Sequence, residues 1–364
     1  MKIVSSIRWK DSRAQNTTLA VRVSSVRIAF VSTELLPIYA QGALERLVVG
    51  WAQTISEKHD VVLVSVSPTI KEEITHIGRV PHLFATSYKA LSKLCKEHHI
   101  ELCVLNNRPG WLGAIDVKGA VILHNFPSAW ETDQFPVESI SPNSRFVALS
   151  HSLCAQAKKT LALRDEQISH VYPYLAPAFL KTTTFRRTQS TNKTRYLFPN
   201  RLMYKKGVWA LLDALDLIPE AEIHVDITFS PSAHIKDRDF AQKVLARVNK
   251  SVNARVIAPL TTPEEVSHTM SLYDGVLMPS VEPEGFGLVA FEALALGIPV
   301  ITSGLGGLSQ AVELGATSVD PLHTPSFARN LLELGSLPTD INSDFIVNTF
   351  NVKRSAKALL ELLL

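Results

Sequence analysis

Short apolar runs alternate with helix-length periodic segments along nearly the whole chain, and this alternation constrains the fold more than any other feature. Apolar runs bounded by turn residues read as strands buried on both faces, and the stretches between them suit crossover helices. The chain therefore reads as successive βαβ units around parallel sheets. The first series places strands at Val26–Thr33, Val61–Val66, Glu101–Leu105, Ala120–His124, Arg145–Ser150 and Ser169–Val171, with an amphipathic helix near Ala43–Glu57. Tyr172, Pro173, Tyr174 and Pro177, followed by the polar run Lys181–Thr194, interrupt the pattern. A second series then repeats it. Strands are expected at Arg195–Pro199, Glu222–Thr228, Arg255–Ile257, Gly275–Met278 and Pro299–Thr302, with helices near Gly207–Leu217, Pro263–Ser271 and Leu288–Leu296. Residues 1–25 read as an extension, 26–174 and 195–350 as two Rossmann-like domains, 175–194 as their linker, and 351–364 as a terminal helix. The expected fold class is α/β, with two doubly wound domains facing across a cleft.

Composition narrows the function classes. At 46% hydrophobic, the 364-residue chain has ample core material, so disorder is excluded as its main state. A net charge of +3 is too balanced to suggest a nucleic-acid partner. Cys95, Cys103 and Cys154 show no Cys-x-x-Cys spacing, which argues against a disulfide framework or zinc site and for a reducing, cytoplasmic setting. No apolar run approaches the ~18 residues of a membrane span. Within Tyr88–His99, Lys89, Lys93, Lys96, His98 and His99 flank Leu91 and Leu94. Such a basic helix could make a peripheral membrane contact, against the ordinary reading of a solvated helix face.

The chemistry concentrates in Pro279-Ser-Val-Glu-Pro-Glu-Gly-Phe-Gly-Leu-Val-Ala-Phe-Glu-Ala-Leu-Ala-Leu-Gly-Ile-Pro-Val300. Gly285 and Gly287 permit a tight turn just before a helix N-terminus, where unpaired N–H groups and the dipole favour an anion. Glu292 stands inside a helix that is apolar on nearly every side. A carboxylate there must face a partner or a ligand, because an unpaired buried charge costs several kcal/mol, on the order of a pKa shift that would neutralise it. Upstream, Asn200-Arg-Leu-Met-Tyr-Lys-Lys-Gly207 puts Arg201 and Lys206 between a strand end and a helix start, a placement suited to a diphosphate.

These stretches resemble the retaining nucleotide-sugar glycosyltransferases of the two-domain GT-B type, family 4. Glu284 and Glu292 have the family's glutamate spacing, Gly285-Phe286-Gly287 matches its middle, and Gly297-Ile-Pro-Val300 and Gly306-Gly307 continue the match. Arg201 and Lys206 keep the family's arginine-to-lysine spacing. Gly42-Ala-Leu-Glu-Arg46 resembles its glycine-pair loop under the donor diphosphate, and His124 stands where relatives place a histidine toward the donor sugar. The resemblance covers Val26 to the end of the sequence. Asn200 replaces a glycine, Ala43 the second glycine of the pair, Tyr174-Leu-Ala-Pro177 an Asn-Gly-Val-Asp turn, and Ser309-Gln310 a proline-glutamate.

The resemblance implies a hexosyltransferase that moves sugar from a nucleotide diphosphate donor, with retention and without metal or other cofactor, to a glycan, lipid or small-molecule acceptor. Glu284, His124, Arg201 and Lys206 would form the catalytic set. Gly42, the backbone amides of Phe286, Gly287 and Leu288, and the Glu292 carboxylate would hold the donor. Rival readings are a nucleotide-sugar epimerase of the same fold, a non-catalytic nucleotide-sugar binding protein and a nicotinamide oxidoreductase. The last lacks a complete Gly-x-Gly-x-x-Gly turn with its distal acid; Gly304-Leu-Gly-Gly307 falls short of it. Asp237-Arg-Asp239 reads as acids at a helix start rather than a metal pair.

Overall fold

The computed structural model describes residues 25–33, 43–68, 75–126, 140–180, 193–219, 222–229, 237–333 and 341–364. Gly42 lies outside them.

The alternation of strand and helix resolves into two sheets. The first holds β1 (Arg27–Ser32), β2 (Asp60–Val66), β3 (His76–Ile77), β4 (Val80–Ala85), β5 (Leu102–Asn106), β6 (Lys118–Leu123), β7 (Arg145–Ala148) and β8 (Ile168–His170), in the order β3-β4-β2-β1-β5-β6-β7-β8. Every pair is parallel except β3–β4, whose short antiparallel hairpin closes one edge. The second sheet holds β9 (Thr194–Phe198), β10 (Ile223–Thr228), β11 (Ala254–Ile257), β12 (Gly275–Met278), β13 (Val300–Thr302) and β14 (Thr317–Ser318), in the order β11-β10-β9-β12-β13-β14 and parallel throughout. Strand order reverses between β1 and β5 in one sheet and between β9 and β12 in the other. Those reversals open crevices at the carboxyl ends of the strands, where ligands of doubly wound folds bind.

Helices cover both sheets. Around the first lie α1 (Ala43–Ile55), α2 (Leu91–Glu97) and α3 (His151–Thr160); around the second lie α4 (Val208–Leu215), α5 (Arg238–Val248), α6 (Pro263–Met270), α7 (Leu288–Ala295), α8 (Leu308–Glu313), α9 (Thr324–Glu333) and α10 (Ser343–Thr349). In α2, Leu91, Leu94 and Cys95 are buried, so the apolar side of the basic segment is spent on the core. Of its exposed lysines, Lys93 pairs with Glu97 at 3.6 Å and Lys96 with Asp116 at 2.8 Å. Among the described residues no helix is long and apolar enough to cross a membrane.

The final helix, α11 (Val352–Leu363), returns to the first sheet's side and packs on α1. Its apolar face buries Ala356, Leu359 and Leu363, and Ser355 accepts a 2.9 Å hydrogen bond from Trp51 Nε1. Ser355 Oγ in turn donates to Tyr172 O. The chain thus crosses between the sheets twice, at Tyr172–Leu180 and near Phe350. The crossings are tied together by Leu175 N to Phe350 O at 2.8 Å.

The strand expected over Arg145–Ser150 stops at Ala148 because Ser150 serves the next element instead. Its hydroxyl oxygen caps α3 by accepting from Leu153 N, and the hydroxyl donates to Gly285 O in the opposite domain at 2.6 Å. Gln310 accepts from His151 N at 3.1 Å and forms a second bond across the domains.

Candidate active site

A cavity of ≈ 380 Å³ opens where the two strand-end crevices meet. From the first domain, Ala43 to Leu47 of α1, His124, Asn125 and Leu149 line it; from the second come Asn200, Arg201, Lys206, Met278, Glu284 to Val289 and Glu292. Of the residues singled out in the sequence, Glu284, His124, Arg201, Lys206, Phe286, Gly287, Leu288 and Glu292 are all brought to this one space. Only Gly42 is not placed.

The second-domain wall is built by the loop and helix after β12. Gly287 takes φ +87° and ends the loop, so that α7 begins at the cavity edge. No acceptor among the described residues takes the amide protons of Phe286, Gly287, Leu288 or Val289. Such N–H groups at a helix start form an anion seat. Gly285 lets the two domains touch backbone to backbone, since a Cβ there would stand 1.9 Å from His124 O.

The two glutamates meet opposite fates. Glu284 Oε1 accepts from Lys206 Nζ and from Ser280 Oγ, each at 2.6 Å. Burial pushes its carboxyl up, but the Lys206 charge and these hydrogen bonds outweigh that and leave its pKa below the ordinary value. Oε2 keeps no partner among the described residues, so one carboxylate oxygen remains available. Glu292 is 7% exposed, and its carboxylate takes no hydrogen bond or ion pair among the described residues. Burial raises its pKa to about 7, with the Arg46 charge opposing the rise.

His124 is held from behind. Asn106 Nδ2 donates to Val31 O, so Asn106 Oδ1 accepts at 3.1 Å from His124 Nε2. That network assigns the Nε2–H tautomer and leaves Nδ1, which is buried and without a partner, as an acceptor. Burial lowers the ring's pKa to about 3, so it is neutral at physiological pH and works as a hydrogen-bonding group rather than a proton donor. Arg201 is exposed on the cavity rim, and its guanidinium has no partner among the described residues.

Two features escaped the sequence reading. Lys206, expected beside a diphosphate, already shares its charge with Glu284, 78 residues away in sequence. Arg46 also lines the cavity, although in the sequence it shows only as the last residue of a loop motif. The available signal was its position in the first turn of a helix, where the dipole disfavours a cation unless something anionic answers it.

Residues 181–350 match the family model described as Glycosyl transferases group 1. The match lies in the C-terminal half, over the second sheet and its helices. Over 158 residues the chain is 32% identical to the D-inositol 3-phosphate glycosyltransferase of Pseudarthrobacter chlorophenolicus, an alignment spanning 42% of this chain but only 37% of that relative. Among solved structures, a glycosyltransferase from Rickettsia africae superposes with a TM-score of 0.75 at 16% identity, covering 93% of this chain and 98% of its own. Anabaena HepE, solved in complex with UDP, superposes with a TM-score of 0.71 at 16% identity, covering 92% and 99%. The two sheets and their helices therefore form a GT-B fold.

Proposed function

We propose that this chain is a retaining, metal-independent hexosyltransferase that takes a nucleoside-diphosphate sugar as donor and a glycan, lipid or small molecule as acceptor. The observation that carries the proposal is Glu292, a buried carboxylate that takes no hydrogen bond or ion pair among the described residues and faces the same cavity as Arg46, Arg201, Lys206 and the unpaired amides of a helix start. An adjacent pair of ribose hydroxyls matches one carboxylate, and a diphosphate matches Arg201, Lys206 and the α7 amides. During transfer the bond from the anomeric carbon to the diphosphate oxygen breaks. The departing charge grows on the phosphates as the acceptor oxygen bonds that carbon, and the acceptor's proton passes to the departing diphosphate oxygen. Preorganised cations and amides stabilise that charge more than the ground state, which is how they accelerate the step. Glu284 Oε2 and His124 Nδ1 are acceptors for donor-sugar hydroxyls.

A thermal-shift screen of UDP, GDP, ADP and their sugars tests donor binding; a ligand at a hundredfold excess over Kd stabilises by ~2.7 kcal/mol. UDP comes first because HepE was solved with it. Product analysis with donor alone and with donor plus acceptor then tests the reaction. Sugar transfer supports the proposal, and an epimerised nucleotide sugar without transfer overturns it. Activity should survive EDTA, since the phosphate charge is met by Arg201 and Lys206. Loss on chelation with recovery on manganese would count against the metal-independent reading.

A further inference from the structure

Glu284 is tied into its own domain at both backbone atoms. Its N–H donates to Leu305 O at 3.3 Å, and its carbonyl accepts from Gly307 N at 2.7 Å. The next carbonyl, Gly285 O, takes its hydrogen bond from the first domain instead, from Ser150 Oγ at 2.6 Å. No second donor reaches it among the described residues. Both residues are buried, Ser150 completely, so water does not stand in for either partner.

That one bond sets the direction of a cavity group. In a trans peptide the carbonyl and the following N–H point opposite ways. A Gly285 carbonyl turned to Ser150 therefore turns the Phe286 N–H away from it. The Phe286 ring stacks on Phe291 at 4.1 Å and lies 5.8 Å from Phe350, inside the core. It is thus the backbone of Phe286 that lines the cavity, and no acceptor among the described residues takes its N–H. Gly285 itself does little to hold this peptide plane, because it lacks the Cβ that restricts rotation. The second domain leaves the plane free, and the first domain fixes it.

We propose that Ser150 is a positioning residue for the donor: its hydroxyl, donated across the domain boundary, holds the Gly285–Phe286 peptide so that the Phe286 N–H points at the donor's phosphate oxygens. The proposal rests on the nucleotide-sugar reading given above and adds to it a residue that touches no ligand. The Ser150 oxygen also accepts from Leu153 N at 3.2 Å as the cap of α3, which leaves the O–H free to serve Gly285 alone. Without that O–H the plane rotates, and the cavity meets a partly negative carbonyl where a partly positive N–H stood. The penalty grows as charge collects on the departing diphosphate.

Calorimetry with UDP, GDP and ADP, initial rates, and NMR of the full chain carrying phenylalanine labelled at its amide nitrogen test this on wild type, Ser150→Gly and Ser150→Thr. Glycine is nearly as good a helix cap as serine, so Ser150→Gly removes the donated hydrogen bond and little of α3. Affinity for the best-bound nucleoside diphosphate should fall by about 10-fold, and turnover by about 10²-fold, because the transition state needs the amide more than the ground state does. Ser150→Thr keeps the hydroxyl and should restore most of both. The Phe286 amide signal, assigned by its loss in Phe286→Leu, should move downfield when that nucleotide saturates wild type or Ser150→Thr, and stay in place in Ser150→Gly. A signal that ignores the nucleotide in wild type, or moves equally in Ser150→Gly, overturns the proposal. So does wild-type affinity and turnover in Ser150→Gly. Equal losses in Ser150→Gly and Ser150→Thr assign Ser150 to packing alone and overturn it as well. Failure of wild type to bind any of the nucleotides removes the nucleotide-sugar reading itself, and this proposal with it.

Discussion

The two ends of the cavity floor, only a few residues apart in sequence, solve the same problem in opposite ways. At one end Glu284 is buried but answered, by Lys206 and Ser280. At the other Glu292 is more deeply buried, and its carboxylate takes no hydrogen bond or ion pair among the described residues. The first is a finished structural unit that holds a charged frame before any ligand arrives. The second keeps a desolvation cost that the Arg46 charge only partly offsets.

The most severe way to break this contrast is Lys206→Ala, which gives Glu284 the condition of Glu292. Both partners are about 15% exposed, so the loss of a buried pair's cation should destabilise the fold by about 3–5 kcal/mol. Turnover should fall ~10²-fold or more as a phosphate-facing charge disappears. Chemical denaturation and initial rates would measure both. An unchanged midpoint would mean that Glu284 finds another partner or a proton at no cost.

Next in size is Glu292→Gln, whose effects should have opposite signs on fold and function. The folded pKa of about 7 lies above the ordinary 4.5, so the folded state binds the proton more tightly than the unfolded chain. Stability therefore falls as pH rises between those values and stays reduced above 7, by up to about 3 kcal/mol. Removing the carboxyl should recover that loss at pH 8 and gain nothing at pH 4. Nucleotide affinity should meanwhile weaken by roughly 1.5–3 kcal/mol. Denaturation at both pH values beside calorimetry decides it; a destabilised variant at pH 8 would show that Glu292 is structural.

The smaller test is pH itself. If ribose hydroxyls donate to the Glu292 carboxylate, nucleotide affinity should decline below about pH 7, by up to ~10-fold per unit. Glu284→Gln should preserve this slope and leave free nucleotide affinity nearly unchanged while slowing turnover, because its proposed partner is the sugar. Glu292→Gln should flatten the slope. A slope common to wild type and Glu292→Gln would assign the titration to another group.

How legible was this in the sequence? The parallel sheets were, because strands buried on both faces write continuous apolar runs such as Val61–Val64. The β3–β4 hairpin was not, since His76–Ile77 is too short to show a period. Nor was α3, where only Leu153 and Ala157 are buried and the apolar stripe is thin. Within the site, Glu292 announced itself as a lone charge in an apolar helix. The Lys206–Glu284 bond and the Arg46 side chain depend on contacts made across folded elements, which no local pattern records. The same holds for α11: its amphipathic face was plain, but its partner, α1, lies far upstream.

That return of α11 has a consequence for how the molecule is made. Trp51 waits for Ser355, which is synthesised 304 residues later. Domains ordinarily fold in the order they leave the ribosome, but here the first sheet's layer of helices stays incomplete until α11 has emerged. Until then the side of α1 that carries Trp51 is uncovered, and a nascent chain lacking only its last helix presents an apolar surface to chaperones. Loss of α11 should therefore damage the first-made domain rather than the last-made one.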